Sequence, residues 1–491
     1  MGSIKKQGIT NTIISYIGIC IGFLNLIILQ PFMLKAEEFG LTRIIYSFTL
    51  LVGTLFPVGL NYLTIKFFPR FKNKENGHNG YFGLLLLIAF IGYLITAVLI
   101  FLAKDYILIK YSNSPLFIEY FYYVFPISFC IGFTSIITGY CGAIFKTSVP
   151  SFLNDIYGRV FTTIIVTLYY SKLISFPIFI FLYASSYVIQ LIVLLIYLKY
   201  LKAISLKINW PFFKTQNKKE IFKYTVLLAF ASLASIGIRN IDVMLVGSYL
   251  DLGAVAIYTL GMTIGGLIEI PVNSLARIAD TKISDAIQRN DMRMVKEVYQ
   301  KSVKYLILIG GLIFVLLYAN INEAITFLPA KYYGAKWVII IIAFSAFINM
   351  ATGINTSIIY YSTKYVMGTY LLIGMIVVSV SLNILLIPLY GIEGAALATS
   401  IALVLYNAAK FIIIKQHFQL QPYDFSVLKI VLAIIICFGV TFVFPHFENK
   451  LLHMVAITVT LTAIFGLLLI RLKVFLISDI KSLSVKKLFD K

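Results

Sequence analysis

Acidic residues are scarce. The 491-residue chain has 20 Asp and Glu against 41 Lys and Arg, and charged residues make up 12% of it. Soluble globular domains carry about 25% charged residues, so this chain has too little charge to cover a water-facing surface. Its four cysteines (Cys20, Cys130, Cys141 and Cys437) all fall in apolar runs, away from any paired loop position. That excludes a disulfide framework and a cysteine-built metal site. The four histidines (His78, His417, His446 and His453) lie in or beside loops without ligand spacing and read as surface residues. No Asp-x-Asp motif, no Ser-His-Asp or Cys-His set and no large outer loop occurs, so a membrane polymerase, ligase or glycosyltransferase is not expected. The chain reads as a non-enzyme with no cofactor and no metal.

Apolar residues fill the gap. They make up 60% of the chain, mean hydropathy is +0.93, and runs of roughly 18–25 residues, each long enough to cross about 30 Å of hydrocarbon, recur along the whole length. The runs lie at 9–29, 44–65, 81–103, 117–140, 152–171, 177–197, 224–249, 254–276, 303–320, 337–359, 366–387, 391–414, 427–444 and 451–470. The expectation is an all-α integral membrane protein of about 14 transmembrane helices. A net charge of +21 suggests nucleic acid in a soluble protein, but here its distribution says otherwise. With the N-terminus inside, 31 of the 41 Lys and Arg fall on inner loops and tails, as the positive-inside rule demands. Both termini are then cytoplasmic, and a basic inner surface beside anionic lipid accounts for the charge without nucleic acid.

Soluble segments are short. The stretch KAISLKINWPFFKTQNKKE (202–220) is basic and Pro-interrupted and divides the twelve leading spans in half. The expected organisation is an N-lobe at 1–201, a basic cytoplasmic linker at 202–222, a C-lobe at 223–416, and two further helices with a tail at 417–491. The segment 280–301 places Asp285 and Arg289, Arg293 and Glu297, and Glu297 and Lys301 four apart. It predicts one amphipathic helix along the inner membrane surface. The two lobes read as copies. AEEFGLTRIIY (36–46) leads to FPVGLNYL (56–63), and DLGAVAIYTL (251–260) leads to IPVNSLAR (270–277). Repeats of this kind build transporters whose sites lie at the repeat interface.

Five of the charges inside spans stand out: Arg159, Arg239, Asp155, Asp242 and Glu269. The Arg239–Asp242 pair costs about 5–7 kcal/mol on insertion scales and nearly cancels the apolar gain of its span. A span that marginal calls for a helix partner or a polar passage. Asp242, three residues on, either neutralises Arg239 or binds a coupling ion. Asp155 and Arg159, four apart, pose the same choice. Glu269, alone in its span, is a coupling site for sodium or a proton, or a structural hydrogen-bonding group. Their sum is −1, which leaves room for a cation-coupled exporter.

The segments LILQPFMLKAEEFGLTRIIYSF (27–48), RNIDVMLVGSYLDLGAVAIYTLGMTI (239–264) and PLYGIEGAALATSIALVLYN (388–407) resemble one family. It is the polysaccharide-transport branch of the multidrug/oligosaccharidyl-lipid/polysaccharide exporter superfamily. The twelve-plus-two layout fits it over nearly the whole chain. The resemblance implies two pseudo-symmetric six-helix lobes in a V shape plus two C-terminal helices, working by alternating access in the bacterial inner membrane. The implied activity is flipping undecaprenyl-pyrophosphate-linked oligosaccharide for O-antigen (lipopolysaccharide), capsule or exopolysaccharide assembly. Implied partners are the lipid-linked oligosaccharide, membrane lipids, and polysaccharide polymerases and glycosyltransferases. Pyrophosphate calls for guanidinium forks. Arg239 and Arg159 rank first as substrate contacts, with Arg43, Lys66, Arg277 and Lys364 at the cavity mouths, where snorkelling to headgroups is their plainer use. Asp242, Glu269 and Asp155 are the ion-coupling candidates. Asn25, Asn61, Asn240, Asn349, Asn355, Asn383 and Asn407 offer amides for sugar hydroxyls or for interhelical bonds. A multidrug exporter of the same superfamily is the alternative.

Overall fold

Hydrocarbon offers backbone N–H and C=O groups no partners, so each crossing segment must satisfy them within itself. The computed structural model, which describes residues 2–57, 59–73, 76–215 and 218–474, is accordingly helical, with no strand among the described residues. Nine helices among the described residues are long and apolar enough to cross a membrane, or ten with the bent pair Ala335–Ala351 and Asn355–Tyr361. One of the nine is the 54-residue Tyr365–Phe418. At 1.5 Å per residue it is far longer than a bilayer. It breaks at Gly391 (φ 58°, ψ −135°), three residues after Pro388, which divides it into the two runs expected there. The run expected at 44–65 is displaced. A helix spans Ala36–Leu55, and after Pro57 and the left-handed Gly59 a second one spans Leu60–Phe71.

The chain forms two compact units, Met1–Thr259 and Leu260–Lys491. In the first, Ala36–Leu55 is the central element, packed against both Lys218–Tyr249 and Val124–Ala143. Phe39, Leu41, Ile44 and Ile45 are fully buried there. The approach is set by two glycines. A Cβ on Gly40 would overlap the Leu252 carbonyl, and one on Gly247 would overlap the Ile44 side chain. The segment expected as a linker is strapped to this unit. Gly83 N–H donates to the Ser205 carbonyl at 3.1 Å, and Asn209 N–H to the Asn79 carbonyl at 3.2 Å. Phe213 stacks on Phe71 at 5.1 Å, and Arg70 grips both oxygens of Glu220 at 3.2 and 3.1 Å.

In the second unit Met292–Ala324 is the central helix, contacted by Ile270–Gln288, Ala335–Ala351, Phe425–Val443 and Lys450–Arg471. The expected amphipathic helix at 280–301 is not one helix. The chain turns between Ile270–Gln288 and Met292–Ala324, with Asn290 at φ 58° and the Asp291 side chain capping the next helix by accepting from Met294 N–H at 3.0 Å. The cap supplies a free helix terminus with its acceptor, so a break costs less than the charge pattern suggests. Asp285–Arg289 and Glu297–Lys301 still pair, at 3.0 and 2.7 Å, one on each side of the break.

Gly40→Ala should lower the melting temperature of the detergent-purified protein, by overpacking worth about 1–3 kcal/mol. Gly374→Ala, where a Cβ meets nothing within 4 Å, should leave it unchanged or raise it. The Arg70 guanidinium holds the Glu220 carboxyl below its ordinary value of 4.5. A depressed folded-state pKa stabilises above the unfolded value and loses that stabilisation as pH falls through the lowered one. The strap should therefore hold at neutral pH, and protease cleavage near Lys214 should accelerate only below the ordinary carboxylate range. Glu220→Gln should remove that acid-dependent step.

Candidate functional site

Two π-helical segments shape the cavity of the first unit. The first helix, Gln7–Met33, widens at Leu24–Leu29, and the helix over 148–170 widens at Leu153–Tyr157. Such an insertion displaces the register and frees backbone carbonyls, and is frequent at functional sites. Here Asn25 Nδ2 donates to the Arg159 carbonyl at 2.7 Å and to Thr163 Oγ1 at 2.8 Å, tying the two widened helices together. Gly18 and Gly22, one turn apart, leave a notch for the Arg159 guanidinium. A Cβ on Gly22 would lie 3.1 Å from its Cζ, and a Cβ on Gly18 would lie 2.5 Å from the Asp155 carbonyl oxygen. Arg159 Nη1 is buried with no hydrogen-bond partner among the described residues.

The cavity beside this notch measures about 650 Å³. Arg43 and Arg159 line it together with Gln30, Asn61, Asn154 and Gln190, and no Asp or Glu is among its lining residues. Arg43 stands over the rings of Phe39 and Tyr46 at 5.5 and 5.9 Å, a cation–π setting that keeps the charge while shedding water. The Tyr183 and Tyr187 hydroxyls meet at 3.1 Å on the wall. Two positive charges facing amides, hydroxyls and aromatic rings suit an anion bearing hydroxyl groups.

The other expected residues fall elsewhere. Asp155 accepts from Ser15 Oγ at 2.8 Å, lies outside the lining, and makes no ion pair within 4.0 Å with Arg159 among the described residues. Asp242 is 1% exposed and accepts from the Tyr258 hydroxyl at 3.2 Å. The side chains of Arg239 and Arg277 lie outside the described residues, although their backbones are helical. Lys66 is exposed, its Nζ 5.3 Å from the Phe67 ring, and Lys364 caps Tyr365–Phe418 half-buried. Neither lines the cavity. The five in-span charges sum to −1, whereas the cavity wall carries +2 from Arg43 and Arg159; Asp155 and Asp242 meet hydroxyl partners away from the wall, and Glu269 lies in the second unit.

Glu269 belongs to a separate polar patch in the second unit, where Asn349 Nδ2 donates to its Oε1 at 2.9 Å. Lys410, which the sequence counts with the inner-loop cations, is 2% exposed. It donates to Thr356 Oγ1 at 3.0 Å and stands 4.2 Å from the Tyr406 ring. The signal for it was the apolar Phe411–Ile414 stretch, which carries the helix another turn beyond Lys410. Gln30, Asn154 and Gln190 had no signal, since an amide gives no clue to the face it occupies. The second unit also contains an apolar cavity of about 910 Å³, with Phe314, Tyr318, Phe344, Phe347 and Phe438 on its walls.

The fold has solved counterparts. The chain is similar to the lipid II flippase MurJ in an inward closed conformation, at 16% identity and TM-score 0.69, over 95% of this chain and 100% of that one. It is also similar to an inward-facing multidrug resistance MATE family transporter of the MOP superfamily, at 12% identity and TM-score 0.63, over 82% and 98% of the two chains. A MOP superfamily transporter from Pyrococcus furiosus follows at 14% identity and TM-score 0.56, over 85% and 96%. At these identities the likeness is one of fold. No curated protein matches the sequence. Residues 4–279 match the family described as polysaccharide biosynthesis protein, more than half of the 491 residues, and the chain belongs to that family.

Proposed function

We propose that the protein is a flippase for undecaprenyl-pyrophosphate-linked oligosaccharide, acting in the bacterial inner membrane for surface polysaccharide assembly. The observation that carries this reading is the sign of the first-unit cavity: two arginines and no carboxylate on its wall. A pyrophosphate entering it meets Arg43 and Arg159, and the adjacent amides and hydroxyls take the sugar. Family membership supports a lipid-linked glycan as cargo, and the transporter fold supports alternating access with cytoplasmic termini. In this reading no covalent bond is made or broken, and polymerases and glycosyltransferases act before and after the flip. Buried Asp242, and half-buried Glu269 with Asn349 and Lys410 in its region, are where coupling to protons or sodium would act. A cation exporter of the same fold would need an acidic cavity, and this wall has none.

Arg159→Ala should reduce surface-glycan display in a flippase-deficient strain about tenfold or more, the order expected for losing a charge-assisted contact of about 1.5–3 kcal/mol. Arg159→Lys should recover part of it, and membrane levels of protein should be unchanged. Normal display with Arg159→Ala and Arg43→Ala combined would overturn the proposal, as would resistance to cationic drugs that both variants retain. Gly22→Leu should mimic Arg159→Ala, because it fills the notch that holds the guanidinium. Full activity in Gly22→Leu would show that the guanidinium need not sit there.

A further inference from the structure

One cluster in the second unit has no part in that reading. Glu323 is in the last turn of Met292–Ala324, His446 in the loop after Phe425–Val443, and His453 in the first turn of Lys450–Arg471. Surface positions are expected for both histidines, but His453 is only 6% exposed. Glu323 Oε1 lies 3.8 Å from His453 Nε2 and 3.9 Å from His446 Nδ1. One ligand atom from each residue fits within a 4.8 Å span.

Glu323 is poorly placed as a lone anion. It is 7% exposed, its Oε2 is buried without a hydrogen-bond partner, and it sits at the negative end of a helix dipole. A buried carboxylate there needs a cation. Lys450, in the same helix turn as His453, donates to Thr326 Oγ1 at 3.2 Å and makes no ion pair within 4.0 Å with Glu323 among the described residues. Two imidazoles and a carboxylate are a recurrent zinc donor set, with water in the fourth position. Tetrahedral bonds of 2.0–2.1 Å put ligand atoms about 3.3 Å apart, so closure takes roughly half an ångström at each Glu323 pair and up to about 1.5 Å within the 4.8 Å span of the set. His446, exposed on its loop, is free to supply it. Phe444 and Phe447 wall His453 at 5.7 and 6.2 Å. Zinc on Nε2 moves the ring proton to Nδ1, at the cost of a long 3.4 Å bond from Phe447 N–H.

We infer that Glu323, His446 and His453 form a zinc site, on the end of the unit that the Lys and Arg distribution assigns to the outer face. Bound metal would pin the terminal helix pair to Met292–Ala324. The inference is independent of the transport reading.

The test uses full-length, tag-free protein in detergent, stripped with chelator and titrated with zinc chloride. Calorimetry and elemental analysis should give one equivalent per chain, with a raised melting temperature. His446→Ala and Glu323→Gln should each weaken binding at least tenfold, the lower end of the loss expected for a ligand or its support, while His417→Ala should bind as the unaltered protein does. Absence of saturable binding, or unchanged stoichiometry and affinity in His446→Ala, overturns the site. Because His446 is exposed, that variant keeps the test valid if Glu323→Gln fails to fold.

Discussion

A guanidinium cannot shed its proton, so a low-dielectric interior must either pair it or leave it facing something polar. Arg159 faces its cavity with Nη1 unpartnered and no carboxylate within 4.0 Å among the described residues. The rest of the first unit is built around that condition. Gly18 and Gly22 give up side chains to admit the guanidinium, two π-helical segments bring the helices into place, and Asn25 bridges them. The residue is half-buried as a whole, so the unpartnered Nη1 is a donor that the protein interior leaves unsatisfied. A structural ion pair would have used Asp155, four residues away on the same helix, but Asp155 is held by Ser15.

Much of the fold was legible in the sequence, because hydrocarbon dictates helices and their length. The apolar runs at 81–103, 117–140 and 177–197 lie within structural helices offset by only a few residues. What the sequence did not resolve is direction. Charge inside a span says that something must compensate it, but helix rotation decides whether the compensation is a ligand, a hydroxyl or an ion pair. That is why Asp155, Asp242 and Arg159, equal on the page as sequence, separate once Ser15 and Tyr258 are seen as acceptors' partners. Arg43 and Arg159 were legible as candidates, while their amide neighbours were not.

Breaks in helices were the second gap. The 280–301 stretch carries a regular four-residue charge pattern, yet Asn290 and the Asp291 cap interrupt it. Each half keeps its own ion pair, so the pattern was satisfied without one continuous helix. Likewise Glu323 and His453 are 130 positions apart in the chain, and no local spacing announces a cluster that only the packing of Lys450–Arg471 against Met292–Ala324 assembles.

The two segments that read as copies in the sequence differ in charge at one position. Aligning Gly40 in AEEFGLTRIIY with Gly253 in DLGAVAIYTL sets Glu38 against Asp251 and Arg43 against Ala256. Each acidic residue caps a helix start, but from a different position: Glu38, in the first turn, accepts from the preceding Lys35 N–H at 2.9 Å, and Asp251, just before its helix, accepts from Ala254 N–H at 2.7 Å, both favourable at a helix N-terminus. The helix start is therefore held in common by capping, a requirement of the backbone. Arg43 answers to no such requirement, since its counterpart Ala256 is fully buried in the same kind of helix. Folding fills this position with alanine in one segment and with a cation on the cavity wall in the other, so the backbone itself does not require the cation.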